Sequence, residues 1–401
     1  KCIEMHSDMA KAHDRVMHRK LLETLQKKGI QKDIICVVKR MLETTTLELN
    51  CGGEGVGEVK VKRGVIQGDS LSPLLFVLSI DDISKRLNRE VELRGGQVSS
   101  HLFCMDDLKV VCESEEEASQ THAFLQQAFL DLGMHINESK CGIFSKGIHI
   151  PEELSNIPRV TEEAPHKHLG IEMDEGVNGK EVIERMKQEV EVKLEEIMEM
   201  GASRINTIRI INSMVVLKLQ EMFAAVPWKK GDLEWFNKAM RNALCCAGCS
   251  VKMLATERLC LKPGKLGVGL MNVWMEWTKE LIRTWSILKN TREEATMRNM
   301  EEFEKSHPKK GLLQEAKKGA RMVLKREEIE ELLRTDMEVD EVIEKLEEKH
   351  EEKLLDSLKK RQGEHWKEME LPNIQRKHTI QARQRMNIKK GKWKSVMLLQ
   401  M

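Results

Sequence analysis

Tyrosine is wholly absent from this 401-residue chain, where ordinary usage would supply about ten. No run of about eighteen apolar residues occurs, which excludes a membrane-spanning helix. The ten cysteines follow no framework spacing, so a disulfide scaffold is excluded and a reducing intracellular compartment, nucleus or cytoplasm, is expected. Cys245, Cys246 and Cys249 form their one cluster. A zinc site needs four ligands and no second Cys/His pair lies near, so they read as buried helix residues. An excess of one charge is missing too: 66 Lys and Arg face 65 Asp and Glu, for a formal net charge of +1. Composition alone therefore gives no nucleic-acid footprint. The start, Lys1-Cys2-Ile3-Glu4, offers neither an initiator Met nor a signal-peptide core, which reads as a fragment or processed product.

What is present is length and charge. The chain is long enough for two or three domains, and a third of its residues are charged, as long solvated helices are. A short strand is expected to end at Asp8, although His6 and Ser7 make a poor strand interior. Helices follow over Val16–Lys28, stopped by Gly29, and over Lys32–Glu43. Residues 46–65 read as β-structure around a Gly52-Gly53 turn. A helix begins near Ser70 with Pro73 in its first turn. Ser114 with Glu117 is a capping-box signature opening a helix to Leu132. Strand signals return at Met134–Asn137 and Gly142–Phe144. The order is α+β, an antiparallel sheet packed on helices, rather than a run of βαβ crossovers.

Beyond about residue 180 the pattern turns helical, with Ile183, Met186, Val190, Leu194 and Ile197 on one stripe. Residues 290–370 are rich in Glu and Lys with a sparse apolar stripe, which predicts a solvated helical extension. Residues 371–401 carry basic residues and no acid. They read equally as a phosphate-neutralising tail and as a disordered terminus.

Three segments carry chemistry. The first is Asp8-Met9-Ala10-Lys11-Ala12-His13, an acid at a strand end. The second is Arg63-Gly64-Val65-Ile66-Gln67-Gly68-Asp69-Ser70-Leu71-Ser72-Pro73-Leu74-Leu75-Phe76. The third is Phe103-Cys104-Met105-Asp106-Asp107-Leu108, where two carboxylates sit side by side at a hairpin tip. Alone, that tip reads equally as a solvated turn and as a divalent-metal ligand. Together, the order and spacing resemble motifs A, B and C of the reverse transcriptases of non-LTR retrotransposons. Gly133–Cys141 resembles motif D, Lys167-His168-Leu169-Gly170 the motif E turn, and Arg258–Leu270 the thumb-proximal pattern. The resemblance covers roughly residues 3–275.

The resemblance implies a palm over 1–178 and a helical thumb over 179–290, and composition adds a charged helical extension over 291–370 and a basic tail over 371–401. It implies an RNA-directed DNA polymerase that binds an RNA template, a DNA primer and deoxynucleoside triphosphates, with no membrane partner and an oligomeric state left open. Two Mg²⁺ ions (or Mn²⁺) are implied, held by Asp8, Asp106 and Asp107. Lys140 is implied as a general acid toward pyrophosphate. Substrate contacts are implied for His13, Gln67, Gly68 and Met105, and a primer grip for Lys167, Leu169 and Gly170.

The departures are specific. His13 stands where the resemblance implies an aromatic ring that excludes the ribose 2′-OH, so discrimination against ribonucleotides is expected to weaken. Cys104, His168 and Cys260 also occupy positions of expected aromatics or small residues. Tyr becomes His or Cys by single-base transitions, so a decaying or edited copy, or deliberate removal, would account for the missing tyrosines. His6 and Ser7 replace apolar anchors of the strand carrying Asp8, and misplacement by even about 1 Å costs on the order of a hundredfold in rate. The resemblance also implies a fingers subdomain ahead of Asp8, so impaired polymerisation is expected. The alternative is a non-catalytic retroelement remnant that binds nucleic acid or a protein.

Overall fold

The computed structural model describes residues 1–93, 96–173, 179–246, 256–265, 267–291, 294–306, 308, 311–334 and 338–368. The chain divides into two compact units, Lys1–Asn178 with Thr291–Ser306 and Gly179–Asn290 with His307–Met401. Cys249 and the basic tail 371–401 lie outside the described residues.

The first unit begins with β1 (Cys2–Ser7), then α1 (Ala12–Arg15), α2 (His18–Lys27) and α3 (Lys32–Thr44). The hairpin β2 (Thr46–Cys51) and β3 (Glu54–Lys60) comes next, then α4 (Ser72–Leu87) and a second hairpin, β4 (Glu90–Leu93) and β5 (Gly96–Ser99). The unit continues with β6 (His101–Cys104), β7 (Asp107–Cys112), α5 (Glu115–Asp131), β8 (Gly142–Lys146), β9 (His166–His168) and β10 (Ile171–Met173). The central sheet runs β6-β7-β1-β8, every pair antiparallel.

Side chains alternate across a strand, so this sheet has two unlike faces. Ile3 and Met5 of β1, Leu108, Val110 and Cys112 of β7, and Ile143 of β8 join one buried core with Phe76, Ile80 and Ile83 of α4 and Leu125 and Phe129 of α5. The opposite parity places Glu4, His6, Asp8, Asp107 and Lys109 on the other face. α5 starts as its sequence dictates: Ser114 Oγ accepts from the Glu117 amide at 3.2 Å, and Glu117 Oε2 accepts from the Glu113 amide at 2.5 Å.

Two expectations change here, and one element is new. The strand expected at Met134–Asn137 reduces to a single bridge between Met9 and Ile136, because a turn at Gly133 and a 3₁₀ turn at Glu138–Lys140 leave little extended chain. The β-structure expected to reach Val65 stops at Lys60, since Gly64 turns at φ +86°. The β4–β5 hairpin has no counterpart in the sequence pattern.

The second unit contains α6 (Gly179–Glu199), α7 (Arg204–Ile211), a π-helical turn at Asn212–Val216, α8 (Leu217–Phe223), α9 (Lys230–Cys246), α10 (Thr256–Cys260) and α11 (Val273–Lys289). After α12 (Glu294–Ser306), which belongs to the first unit, come α13 (Leu312–Ala320), α14 (Arg326–Arg334) and α15 (Val339–Glu368). The α6 stripe is buried as its spacing predicts. The extension, however, is not simply solvated. Ala316, Gly319 and Ala320 of α13 pack against α11, and Val342, Ile343, Leu346 and Leu358 of α15 are buried. The Lys279 ammonium, itself buried, joins Glu276 at 2.7 Å to Glu347 of α15 at 2.8 Å. Small residues make this interface, so a count of large apolar side chains misses it.

Candidate active site

Asp8 comes directly after β1, and the β1–β7 register (Ser7 opposite Leu108) carried one step further sets it across from Asp107. Cys104 pairs with Asp107, so Met105 and Asp106 form a two-residue turn with φ +56° at Met105. A positive φ at the first central position suits the right-handed strand twist. Asp106 and Asp107 both push the Asp8 pKa upward by repulsion, after burial, which is the largest cause; Lys140 opposes them. The Lys140 ammonium lies 3.9 Å from Asp8 Oδ2.

The strand end does not depend on apolar anchors. His6 and Ser7 are buried in the sheet, and backbone bonds hold the chain just beyond them: Asn137 N donates to Asp8 O at 2.8 Å, and Ala10 N donates to His135 O at 2.9 Å. These bonds fasten the motif D segment along the motif A segment, which brings Lys140 to Asp8. His6, Asp8, Asp107, Lys140, His166, Lys167 and His168 line one cavity of about 410 Å³.

A second junction positions the Gln67-Gly68 loop. Val65 N donates to His13 O at 2.8 Å, Gly64 N donates to Val16 O at 2.8 Å, and His18 Nε2 lies 2.8 Å from Gly64 O. Asp69 forms a local turn just ahead of α4, its Oδ1 accepting from the Leu71 amide at 3.2 Å. Gln67 and Gly68 are exposed, and Gly68 adopts φ +93° with open space at its Cβ position. His13 lies flat against the buried Phe76 of α4, ring centroids 4.3 Å apart and planes 12° from parallel. These residues form the motif A–motif B junction and do not line the cavity around Asp8.

Two features of the site escape a reading of the sequence. A Cβ at Gly64 would stand 2.7 Å from the backbone carbonyl carbon and oxygen of Asp14, so only glycine fits. Second, among the described residues, those other than glycine with positive φ are Lys11, Met105 and Leu169, one in each of the motif A, C and E segments. Such conformations cost of order 1–3 kcal/mol each and gather at functional sites. Leu169 and Gly170, at φ +48° and +80°, form the two-residue β9–β10 turn with the sign pattern of a type I′ hairpin. Its tip is the expected primer-grip segment.

Residues 1–173 match the family described as reverse transcriptase (RNA-dependent DNA polymerase). The chain is 30% identical over 148 residues to a retrovirus-related Pol polyprotein from the type-2 retrotransposable element R2DM of Drosophila melanogaster, covering 37% of this chain and 14% of that protein. It is 27% identical over 141 residues to a Pol polyprotein from the type-1 retrotransposable element R2 of Popillia japonica, covering 34% of this chain and 23% of that one. The chain thus spans under a quarter of the length of these relatives. Among solved structures, apo telomerase from Candida tropicalis aligns over 74% of this chain and 52% of its own, at 12% identity and a TM-score of 0.35. Telomerase from Candida albicans scores 0.33 at 13% identity, over 74% of this chain and 48% of its own. Likenesses that distant carry no argument. The motif order, the α+β fold and the sequence matches place residues 1–173 among the reverse transcriptases of non-LTR retrotransposons.

Proposed function

We propose that residues 1–173 are the catalytic palm of an RNA-directed DNA polymerase that extends a primer 3′-OH along an RNA template, with residues 179–290 as its thumb. One observation carries this reading. Asp8 at a strand end and Asp107 of the hairpin line one cavity, and Asp106 and Asp107 both raise the first's pKa, while among the described residues no three such side chains form a ready-made metal site. Clustered carboxylates of this kind repel one another until a hard cation joins them. Oxygen donors fit Mg²⁺, with Mn²⁺ as a substitute. When bound, two such ions supply acidification of the primer hydroxyl and neutralisation of the triphosphate.

The chain's own residues account for the rest. Asp8, Asp106 and Asp107 hold the cations. Lys140, beside Asp8, is placed to give a proton to the departing pyrophosphate. Gln67 and Gly68 present an open backbone to the nascent pair, and Lys167, Leu169 and Gly170 bear on the primer strand. His13, fixed on Phe76, stands for the ring that excludes a ribose 2′-OH, and Met105 holds the turn that aims Asp106.

One observation favours reduced turnover or a non-catalytic remnant: the imidazole of His6, two residues before Asp8, is buried with Nδ1 unpartnered. Primer extension on an RNA template with Mg²⁺ separates the readings. Extension lost in Asp106→Asn supports the polymerase, and extension absent from the parent chain leaves the remnant.

A further inference from the structure

The β2–β3 hairpin is well formed locally and stands open to solvent. Cys51 pairs with Glu54, so Gly52 and Gly53 make a two-residue turn at φ +62° and +92°, the signs of a type I′ hairpin. The two strands form a sheet of their own, and every residue of both is exposed. A two-stranded sheet alone is marginally stable in water, and further strands or a packed face make it secure. One face is apolar: Leu47 lies opposite Val59 and Leu49 opposite Gly57. Leu47, Leu49 and Val59 are each 49% exposed. An apolar face left in water on a strand pair with a free edge marks an interaction site.

The charges on the other face identify the occupant. Glu48 lies directly opposite Glu58, and like charges so placed destabilise a strand pair. Among the described residues neither glutamate has an ion-pair partner, and neither has Lys60, two residues along β3 from Glu58.

We propose that a second copy of this chain docks here, β3 pairing antiparallel with the same strand of its mate about a two-fold axis at Val59. An isologous contact of this kind makes residue 58 face residue 60 of the other copy. Glu58 of each chain therefore meets Lys60 of the other, twice per dimer, and Val59 meets Val59. Gly57 comes opposite Val61, with nothing within 4 Å of its Cβ position to obstruct the approaching strand. A two-fold axis perpendicular to the sheet keeps both apolar faces on one side. Leu47, Leu49 and Val59 of the two copies then form one continuous surface on a four-stranded sheet.

The other edge and another class of partner fit less well. β2 carries Glu48 and no cation, so pairing through β2 sets acid against acid. Residues 46–60 hold three glutamates and one lysine, a balance that repels a phosphate backbone. Proline or unmatched charge usually shields a strand edge; here proline is absent and the two charges at 58 and 60 complement themselves. The inference does not rest on polymerase activity.

The test is sedimentation velocity of the full chain from about 1 to about 100 µM, a range suited to the small interface one strand pair makes. The parent is expected to pass from monomer to dimer across it. Glu58→Lys and Lys60→Glu each set like charges in both cross-strand pairs, and each should weaken self-association by about tenfold or more. Mixed in equal amounts, the two variants should associate as the parent does, because every cross-strand pair then joins opposite charges. Both positions are exposed, and circular dichroism verifies that each variant folds. A parent that stays monomeric throughout overturns the proposal. So does association that both variants retain, or a mixture that fails to recover it.

Discussion

Replacing Gly64 by alanine tests whether the motif B loop is held by close backbone packing on motif A. The added Cβ meets Asp14 C and O at 2.7 Å, and the residue sits at φ +86°. Left-handed backbone costs a residue with a side chain roughly 1–2 kcal/mol, and an unrelieved overpacking contact adds about 1–3 kcal/mol. The sum is about 2–5 kcal/mol in the first unit. Gly68→Ala is the control, because φ is +93° there but nothing lies within 4 Å of the Cβ position, so only the conformational cost applies. All seven tryptophans, the first of them Trp228, lie beyond residue 178, so their fluorescence does not see the first unit's interior. The assay is therefore urea-dependent hydrogen exchange of peptides from residues 1–173, with tryptophan fluorescence as an internal reference. With an m-value of about 1–3 kcal/mol/M, Gly64→Ala should lower the first unit's midpoint by about 1–2 M, clearly more than Gly68→Ala. Equal midpoints for the two variants would refute the packing argument.

Three other outcomes rest on named contacts. Asp8 has a raised pKa, chiefly from burial, so the folded chain holds its proton more tightly than the unfolded one; Asp8 therefore subtracts stability as pH rises from its ordinary 3.8 through the raised value. Without divalent cations, Asp8→Asn should match the parent below that window and be the more stable of the two above it, a difference thermal unfolding against pH would detect. Ser114→Ala removes the α5 cap and should cost about 1 kcal/mol, seen as faster exchange in 115–119. Gly319→Ala would drive a Cβ to 2.1 Å from Thr278 Oγ1 and should red-shift tryptophan emission, since Trp274 donates to Gly319 O.

The proposed catalytic acids are legible in the sequence because each rests on local rules: a strand ending at Asp8, a tight turn at Met105-Asp106, a capped helix after it. Their partners are less so. The need for glycine at 64 arises where two segments fifty residues apart press together, and it does not show in periodicity. The packing of His166 and His168 on His6 depends on a β9 hairpin folding over β1, a long-range placement that no spacing reveals. Residues 312–320 look solvated in sequence because Ala316, Gly319 and Ala320 resemble a gap in a stripe, when their smallness is what lets two helix backbones approach.

Primer extension addresses the central claim, that Asp8, Asp106 and Asp107 hold the cations for nucleotidyl transfer. The chain is assayed on a primed RNA template across a Mg²⁺ titration, beside Asp106→Asn and Lys140→Ala. The account predicts Mg²⁺-dependent extension that falls by at least about a hundredfold in Asp106→Asn and by less in Lys140→Ala. Extension of equal strength in the parent and in Asp106→Asn would contradict it.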